Sequence, residues 1–318
     1  MAEQTSQKSR LSSPPHLRTG FNTNKIMLVT LVSLLIPAIG GMTRYGTKAV
    51  GIIATTVITA VIAGALCQKL RGKPLKFEIS TVISGLLLAL VLPPGLPLWM
   101  AAIGSIFAIC IVKEAFGGTG QNIFNPVLGA QAFLLASFAT PMSQFIKPTG
   151  FGGKIVAMAN PLAVELGVNV NKGELYQNLL FGNSAGFVGG SALLVIIGGI
   201  LLLLIGTIDF RTPLVFLATV AITSLAFGAD PVFHLLAGGV MFAAFYFACD
   251  PVTTPLYWKG RLVFAVGAGV LTVLIRQLGS PIDGIPYAIL IMNGVTPLID
   301  RYIKPIPMGM KKVKRNES

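Results

Sequence analysis

Titratable side chains are scarce in this chain, so the few that interrupt its apolar runs are the places to look for chemistry. Asp250 closes one such run just before Pro251, and Thr253 and Thr254 add two hydroxyls beside it. A carboxylate at the end of a membrane helix is a functional candidate, here for carrying a proton or a small cation. An Asp-Pro turn at the membrane surface is the plainer reading of the same residues. His234 stands four residues into another apolar run, after Asp230-Pro231. An imidazole titrates near pH 6.5 and could relay protons along an ion path with Asp250, although a lone histidine also serves simply as a hydrogen-bonded packing residue. Glu114 beside Lys113 has the form of an interfacial pair.

A second candidate is a stretch of backbone. Residues 116–126, Phe-Gly-Gly-Thr-Gly-Gln-Asn-Ile-Phe-Asn-Pro, form a polar, glycine-dense kink between two apolar runs. Asn125 can cap the helix that follows, and Pro126 suits its first position, where no N–H is needed. Gly118, Asn122 and Asn125, with the Thr253 and Thr254 hydroxyls of the later break, would then offer backbone, amide and hydroxyl groups to a flavin phosphate, a ring edge or a coupling ion. A tight turn packed through small residues is the alternative. Gly118-Thr119-Gly120 is not a dinucleotide fingerprint, because Ile123 occupies the third glycine position and no strand precedes it.

Other chemistries lack their residues. There is no Ser-His-Asp order, no paired carboxylates and no HExxH for hydrolysis. Cys67, Cys110 and Cys249 lie far apart inside apolar segments without zinc or iron–sulfur spacing, as small buried hydrophobes would. The net charge of +13 does not point to nucleic acid, because the basic residues are distributed between apolar runs instead of forming a basic face.

The elements that must position these groups are membrane helices. The chain of 318 residues is 53% hydrophobic and 11% charged, with mean hydropathy +0.78, far from the balance of a soluble domain. Runs free of charge predict spans at 26–43 and 49–68, then two helices within 79–112 separated by the prolines at 93, 94 and 97, and a fifth at about 124–145. A polar segment of about 35 residues follows. Five further runs, at 185–207, 212–228, 231–249, 260–276 and 284–299, bring the expected number to ten.

An even number of spans places both termini on one side, and 18 of the 24 Lys and Arg residues then face the cytoplasm. The first 24 residues read as a polar cytoplasmic tail without a cleavable signal, and residues 303–318 as a basic one. Between them lie a first five-helix repeat over 25–145, an extracytoplasmic loop over 146–184 and a second repeat over 185–302. Ser84-Gly85, the prolines at 93–97 and Pro126 recur as Gly238-Gly239, Pro251 with Pro255, and Pro286. Five is an odd number, so the repeats must be inverted. That arrangement places ligand and ion sites at broken helices near the midplane. The expected fold is therefore an all-α polytopic membrane protein of two inverted repeats.

Five stretches carry a family resemblance: Ser12-Ser13-Pro14-Pro15-His16-Leu17-Arg18, the 116–126 kink, His234 to Gly239, Asp250 to Pro255 with Lys259-Gly260-Arg261, and Asn293 to Tyr302. In this order they resemble the family that includes RnfD, of the Rnf ferredoxin:NAD oxidoreductase complex, and NqrB, of the sodium-pumping NADH:quinone oxidoreductase, with RnfD the nearer. The resemblance implies a subunit of a redox-driven Na+ or H+ pump in the inner membrane of a prokaryote. Its partners would be other Rnf-type membrane and flavin or iron–sulfur subunits. It also implies an FMN esterified to a threonine in the loop after the fifth helix. The best match there is Met158-Ala159-Asn160-Pro161-Leu162-Ala163, with Asn160 in the acceptor's place. A carboxamide cannot form a phosphoester. The expectation is FMN or riboflavin held noncovalently, with Asn160 hydrogen-bonding it. Thr140, before Pro141, imitates the motif only by its letters. The competing classes are a solute channel or secondary transporter, which inverted repeats also allow, and a flavin-free scaffold subunit.

Overall fold

In the computed structural model, the described residues are 22–151, 157–158, 171–279 and 283–303. Asn160, the 12–18 motif and the basic stretch 304–318 lie outside them. The described chain is overwhelmingly helical, and its strands are limited to a two-residue pair, Phe145–Ile146 against Ala157–Met158. Among the described residues, three helices are long and apolar enough to cross a membrane: α1 (Thr23–Tyr45), α2 (Thr47–Leu70) and one nearer the C-terminus, Trp258–Leu278. The turn between α1 and α2 needs Gly46, whose φ is +56° and whose absent Cβ would meet the Gly150 carbonyl at 2.7 Å.

The expected hairpin is present. α3 (Ile79–Val91) ends before Pro93 and Pro94, and α4 (Leu98–Ile106) begins after Pro97. α4 then widens into a π-helical stretch, Phe107–Glu114. α5 (Pro126–Ser137) is shorter than the run to residue 145 predicted. Pro141 cannot donate to the Ser137 carbonyl and its ring crowds it, so the chain leaves the helix at Phe138 and makes only the single turn α6 (Ala139–Met142).

The segment expected as a polar loop contains α7 (Lys172–Phe181), closed by Gly182 at φ +72°. Its Leu175, Tyr176 and Leu179 pack on Phe233, Leu236 and Ala237. The helix predicted from residue 185 starts later, as α8 (Ala192–Ile205). Before it, Val188 and Gly189 donate backbone N–H groups to Leu92 and Leu90 at 3.0 and 2.8 Å, hooking the chain to the end of α3.

α9 (Arg211–Ala226) agrees with its predicted span. The next predicted helix, 231–249, is two pieces. α10 (Pro231–Leu236) stops where Gly238 and Gly239 take φ of +64° and +74°, and α11 (Val240–Phe242) restarts and runs into a second π stretch, Ala243–Phe247. α12 (Trp258–Leu278) and α13 (Ile285–Tyr302) complete the described helices.

One apolar core joins both halves, with Leu34, Leu88, Val127, Phe216, Phe264 and Ile289 among its buried residues. α1 packs on α8 and α5 packs on α13. Glycines allow the close approach: a Cβ at Gly198 would meet the Ser33 carbonyl at 2.8 Å.

Candidate functional site

The two polar breaks meet. Asn125 caps α5 as the sequence predicts, its Oδ1 accepting from the Val127 and Leu128 N–H groups at 3.0 and 3.3 Å. Its Nδ2 donates to Asp250 Oδ2 at 3.1 Å, a contact spanning 125 residues of sequence. Thr253 Oγ1 donates to the same oxygen at 2.9 Å, and Val252 N–H to Asp250 Oδ1 at 3.2 Å. Thr254 Oγ1 donates to the Asp250 carbonyl at 2.6 Å. Asp250 therefore does make its Asp-Pro turn, but it also ties that turn to α5.

α13 closes the group. With the Asn293 amide oriented by its partners, its nitrogen donates to the Thr253 carbonyl at 3.2 Å and its oxygen accepts from Asn125 N–H at 3.1 Å. Thr296 Oγ1 donates to the Thr253 carbonyl at 3.2 Å. Asn125, Thr253, Thr254 and Asn293 are all buried. The α5 amides expected to face an anion are occupied by the Asn125 side chain itself. What remains at this crossing is a single carboxylate that accepts from the Asn125 amide, the Thr253 hydroxyl and the Val252 N–H.

Beside the crossing is a cavity of about 240 Å³ whose polar wall includes Ser80, Lys113, Thr119, Asn122, Asn125 and Asp250. Asn122 is buried there and donates to the Phe124 carbonyl at 3.0 Å. Gly118 does not line the cavity; a Cβ there would meet the Glu114 carboxylate at 3.3 Å. Lys113 is buried at 2% exposure, and Nζ donates to Ser80 Oγ at 2.8 Å, Thr81 Oγ1 at 3.0 Å and Glu78 Oε2 at 3.3 Å. Glu114 turns elsewhere, pairing with Arg71 at 2.8 Å. The expected Lys113–Glu114 pair is thus two separate pairs, because successive residues of a helical segment face different directions. Thr207 Oγ1, on the cavity wall, is buried without a hydrogen-bond partner among the described residues.

His234 lies elsewhere. It is buried in α10, with Nε2 at 3.2 Å from Gln277 Nε2, so it does not join the Asp250 cluster. Its neighbourhood contains a pair that the sequence reading missed. Arg276 and Asp283, both buried, form an ion pair at 2.9 Å. Arg276 also donates to the carbonyls of His234, Ala237 and Gly238 at 3.1, 3.3 and 3.1 Å, satisfying the acceptors that the break after α10 exposes. A charge count treats Arg276 as one more flanking cation. The only signal for the pair was an Asp seven residues on, beyond a glycine.

Lys113 and Arg276 mark opposite ends of the molecule. α2 is 24 residues long, about 36 Å at 1.5 Å per residue. It ends at Arg71, beside Glu114, and starts at Gly46, beside Gly150 and Arg44. Arg44 in turn lies against Gly182, which lines a cavity of about 50 Å³ together with Asp283 and Gly238. At this second end Asp230 accepts from Tyr176 and, at 3.3 Å, from Lys172, while capping α10 through the Val232 and Phe233 N–H groups. Partial burial pushes the Asp230 carboxyl up. The bonds from Tyr176, Phe233, Lys172 and Val232 outweigh this and hold it below the usual carboxylate range.

The profile described as the NQR2, RnfD, RnfE family matches residues 10–309. The D subunit of the proton-translocating ferredoxin:NAD(+) oxidoreductase complex of Clostridium ljungdahlii is 38% identical over 331 residues, covering 98% of this chain and 100% of the relative. Its counterpart in the Na(+)-translocating ferredoxin:NAD(+) oxidoreductase complex of Acetobacterium woodii is 40% identical over 314 residues, 96% of each chain. The D subunit of the ion-translocating oxidoreductase complex of Stutzerimonas stutzeri is 36% identical, over 91% of this chain and 92% of the relative.

Proposed function

The chain belongs to the NQR2, RnfD, RnfE family, and from that we propose that it is the D subunit of an ion-translocating ferredoxin:NAD oxidoreductase complex. It works in a bacterial membrane with the other subunits of that complex and does not catalyse the reaction alone. The observation that carries the reading further is the bond between Asn125 and Asp250, which couples a break in each half of the chain. One of the relatives above is named for protons and another for sodium. A carboxylate held by amide, hydroxyl and backbone N–H donors can serve either, by taking up a proton or by exchanging a donor for an ion.

The finer architecture is ten spans in two inverted repeats, with both termini on the cytoplasmic side. Several contacts support it. α1 meets α8, the first helix of one half against the first of the other, and α5 meets α13, last against last. Each half also places one buried cation near the end of its fourth helix, and that cation reaches back to the third: Lys113 to Ser80 and Thr81, Arg276 to His234 and Ala237. The Lys113 end is then cytoplasmic and the Arg276 end is outward. Residues 25–145 and 185–302 form the repeats, with 146–184 as the outer loop.

The cavity at the Lys113 end would receive the ring of a noncovalent FMN or riboflavin. Phe245, Tyr246, Ile83 and Leu87 give it apolar walls for ring faces, and Thr207 offers an unused hydroxyl at the edge. A bound flavin would supply one- and two-electron transfer there. Asn122 and Asn125 would orient it, Thr253 and Thr254 would fix the Asp250 turn beneath, and Lys113 would place a buried positive charge beside it. Asp250 would hold or release the moving proton or sodium ion. Asn160, outside the described residues, would be the noncovalent contact for a flavin phosphate in the proposed outer loop.

The visible spectrum of the purified complex, and of this chain isolated from it, tests the reading. Flavin absorbance is expected in both, with no fluorescent band for this chain on a denaturing gel under ultraviolet light. A flavin-free spectrum in both, together with solute uptake by the chain in liposomes, would establish a channel or transporter instead. Full redox activity in a complex in which this chain lacks flavin would make it a scaffold.

A further inference from the structure

Cys67, near the end of α2, and Cys110, in the first π stretch, are 43 residues apart in sequence, yet their sulfurs lie 3.2 Å apart. Both are free thiols and both are partly exposed. Two sulfurs this close need to move by only about 1.2 Å to reach the 2.05 Å of a bond. One helical turn further along each element, Arg71 and Glu114 form their 2.8 Å ion pair, so a second strut already holds the same two segments in this register.

Cys110 occupies a sensitive place in the backbone. Its carbonyl accepts the N–H of Ala115 at 3.0 Å, the i to i+5 bond that closes the last π turn before the glycine kink. π turns are strained relative to the α-helix, and a helix can shed one by slipping register. A cross-link through the Cys110 side chain would prevent that slip. Cys249, the third cysteine, instead donates its thiol to the Ala244 carbonyl at 3.2 Å.

We propose that Cys67 and Cys110 form a dithiol modification site that a low-molecular-weight disulfide oxidises to an intramolecular disulfide, stapling the end of α2 to the π turn before the kink. One thiolate attacks the small disulfide and expels one of its halves as a thiol. The second thiol then displaces the other half. The balance is two protein thiols and one small disulfide giving one protein disulfide and two small thiols, with no other oxidant required.

The experiment exposes the purified complex to glutathione disulfide, alkylates the remaining thiols, and reads this chain's peptides by mass. A Cys67–Cys110 linked peptide is expected, two hydrogens lighter than the separate peptides and reversed by dithiothreitol, with Cys249 still free. Cys67→Ser and Cys110→Ser should each leave a glutathione adduct on the surviving partner. Stable adducts on Cys67 or Cys110 in the unmutated chain, or no reaction at either, would overturn the site. Hydrogen exchange over residues 111–118 should slow on oxidation, and unchanged exchange would overturn the staple.

Discussion

Replacing Asp283 with Asn removes one charge from the Arg276 pair while keeping the shape of the side chain. Arg276 is 8% exposed and Asp283 6%, so the interaction is scarcely screened by water. Removing one partner of a buried pair costs about 3–5 kcal/mol. The asparagine oxygen can still accept from Arg276 Nη2, and the three carbonyl bonds to His234, Ala237 and Gly238 persist. The lower end of the range therefore applies, about 3 kcal/mol, or roughly a hundredfold at about 1.4 kcal/mol per tenfold. The loss should be local, because Arg276 clamps the break between α10 and α11. Hydrogen exchange of the complex in nanodiscs should show amides 233–243 opening about a hundredfold more often, with α2 unaffected. A double-mutant cycle with Arg276→Gln should give a coupling of about 2 kcal/mol. Exchange within a factor of about three of the unmutated chain, or additivity within about 0.5 kcal/mol, would refute the clamp.

Asn125→Ala removes both the α5 cap and the bond to Asp250, and should lower thermal stability by about 1–2 kcal/mol, whereas Asn125→Ser, which keeps a capping oxygen, should recover most of that without restoring coupled activity. Lys113→Met leaves Glu78 without its buried cation and should weaken retention of flavin in the purified complex; unchanged flavin content would separate Lys113 from the cavity's function. Gly238→Ala puts a side chain at φ +64° and should cost about 1 kcal/mol or more in a melting experiment, since left-handed backbone is unfavourable for alanine. The Asp230 carboxyl lies below its unfolded value. Its contribution is therefore complete above the usual carboxylate range and is lost as pH falls through the lowered folded value. Tyr176→Phe should reduce this acid sensitivity in a pH series of melting temperatures. Asn160→Thr, supplied with a flavin-attaching enzyme of the family, should produce a fluorescent gel band where the unmutated chain shows none.

Long features were legible in the sequence because hydrophobicity alone writes them. α1, α2, the proline hairpin before α4, and α9 all match spans drawn from charge-free runs. Asn125 was legible as a cap because capping is local chemistry, and it is observed. What the sequence hid was set by partners far along the chain. The break after α10 is stabilised by Arg276, 38 residues beyond Gly238, so an apolar run with two glycines resembled one helix. α7 escaped because its ten residues are too short and too mixed to show a period, and its apolar side is buried against Phe233, Leu236 and Ala237, far along the chain. Asp250 and the 116–126 kink were each visible as polar interruptions. Their meeting through Asn125 was not, since nothing local to either residue specifies the other.

The coupling role of the Asn125–Asp250 crossing can be tested in one preparation. The complex bearing Asp250→Asn is reconstituted into liposomes, and ferredoxin-dependent NAD reduction is followed together with accumulation of Na+ or H+ in the same vesicles. The asparagine oxygen can still accept from Val252 N–H and its amide nitrogen can donate to Thr253 Oγ1, so the turn should remain in place while the bond from Asn125 Nδ2 is lost. The predicted result is that electron transfer continues while ion accumulation per electron falls at least tenfold, about 1.4 kcal/mol in coupling. An unchanged ratio of ions to electrons would contradict the account.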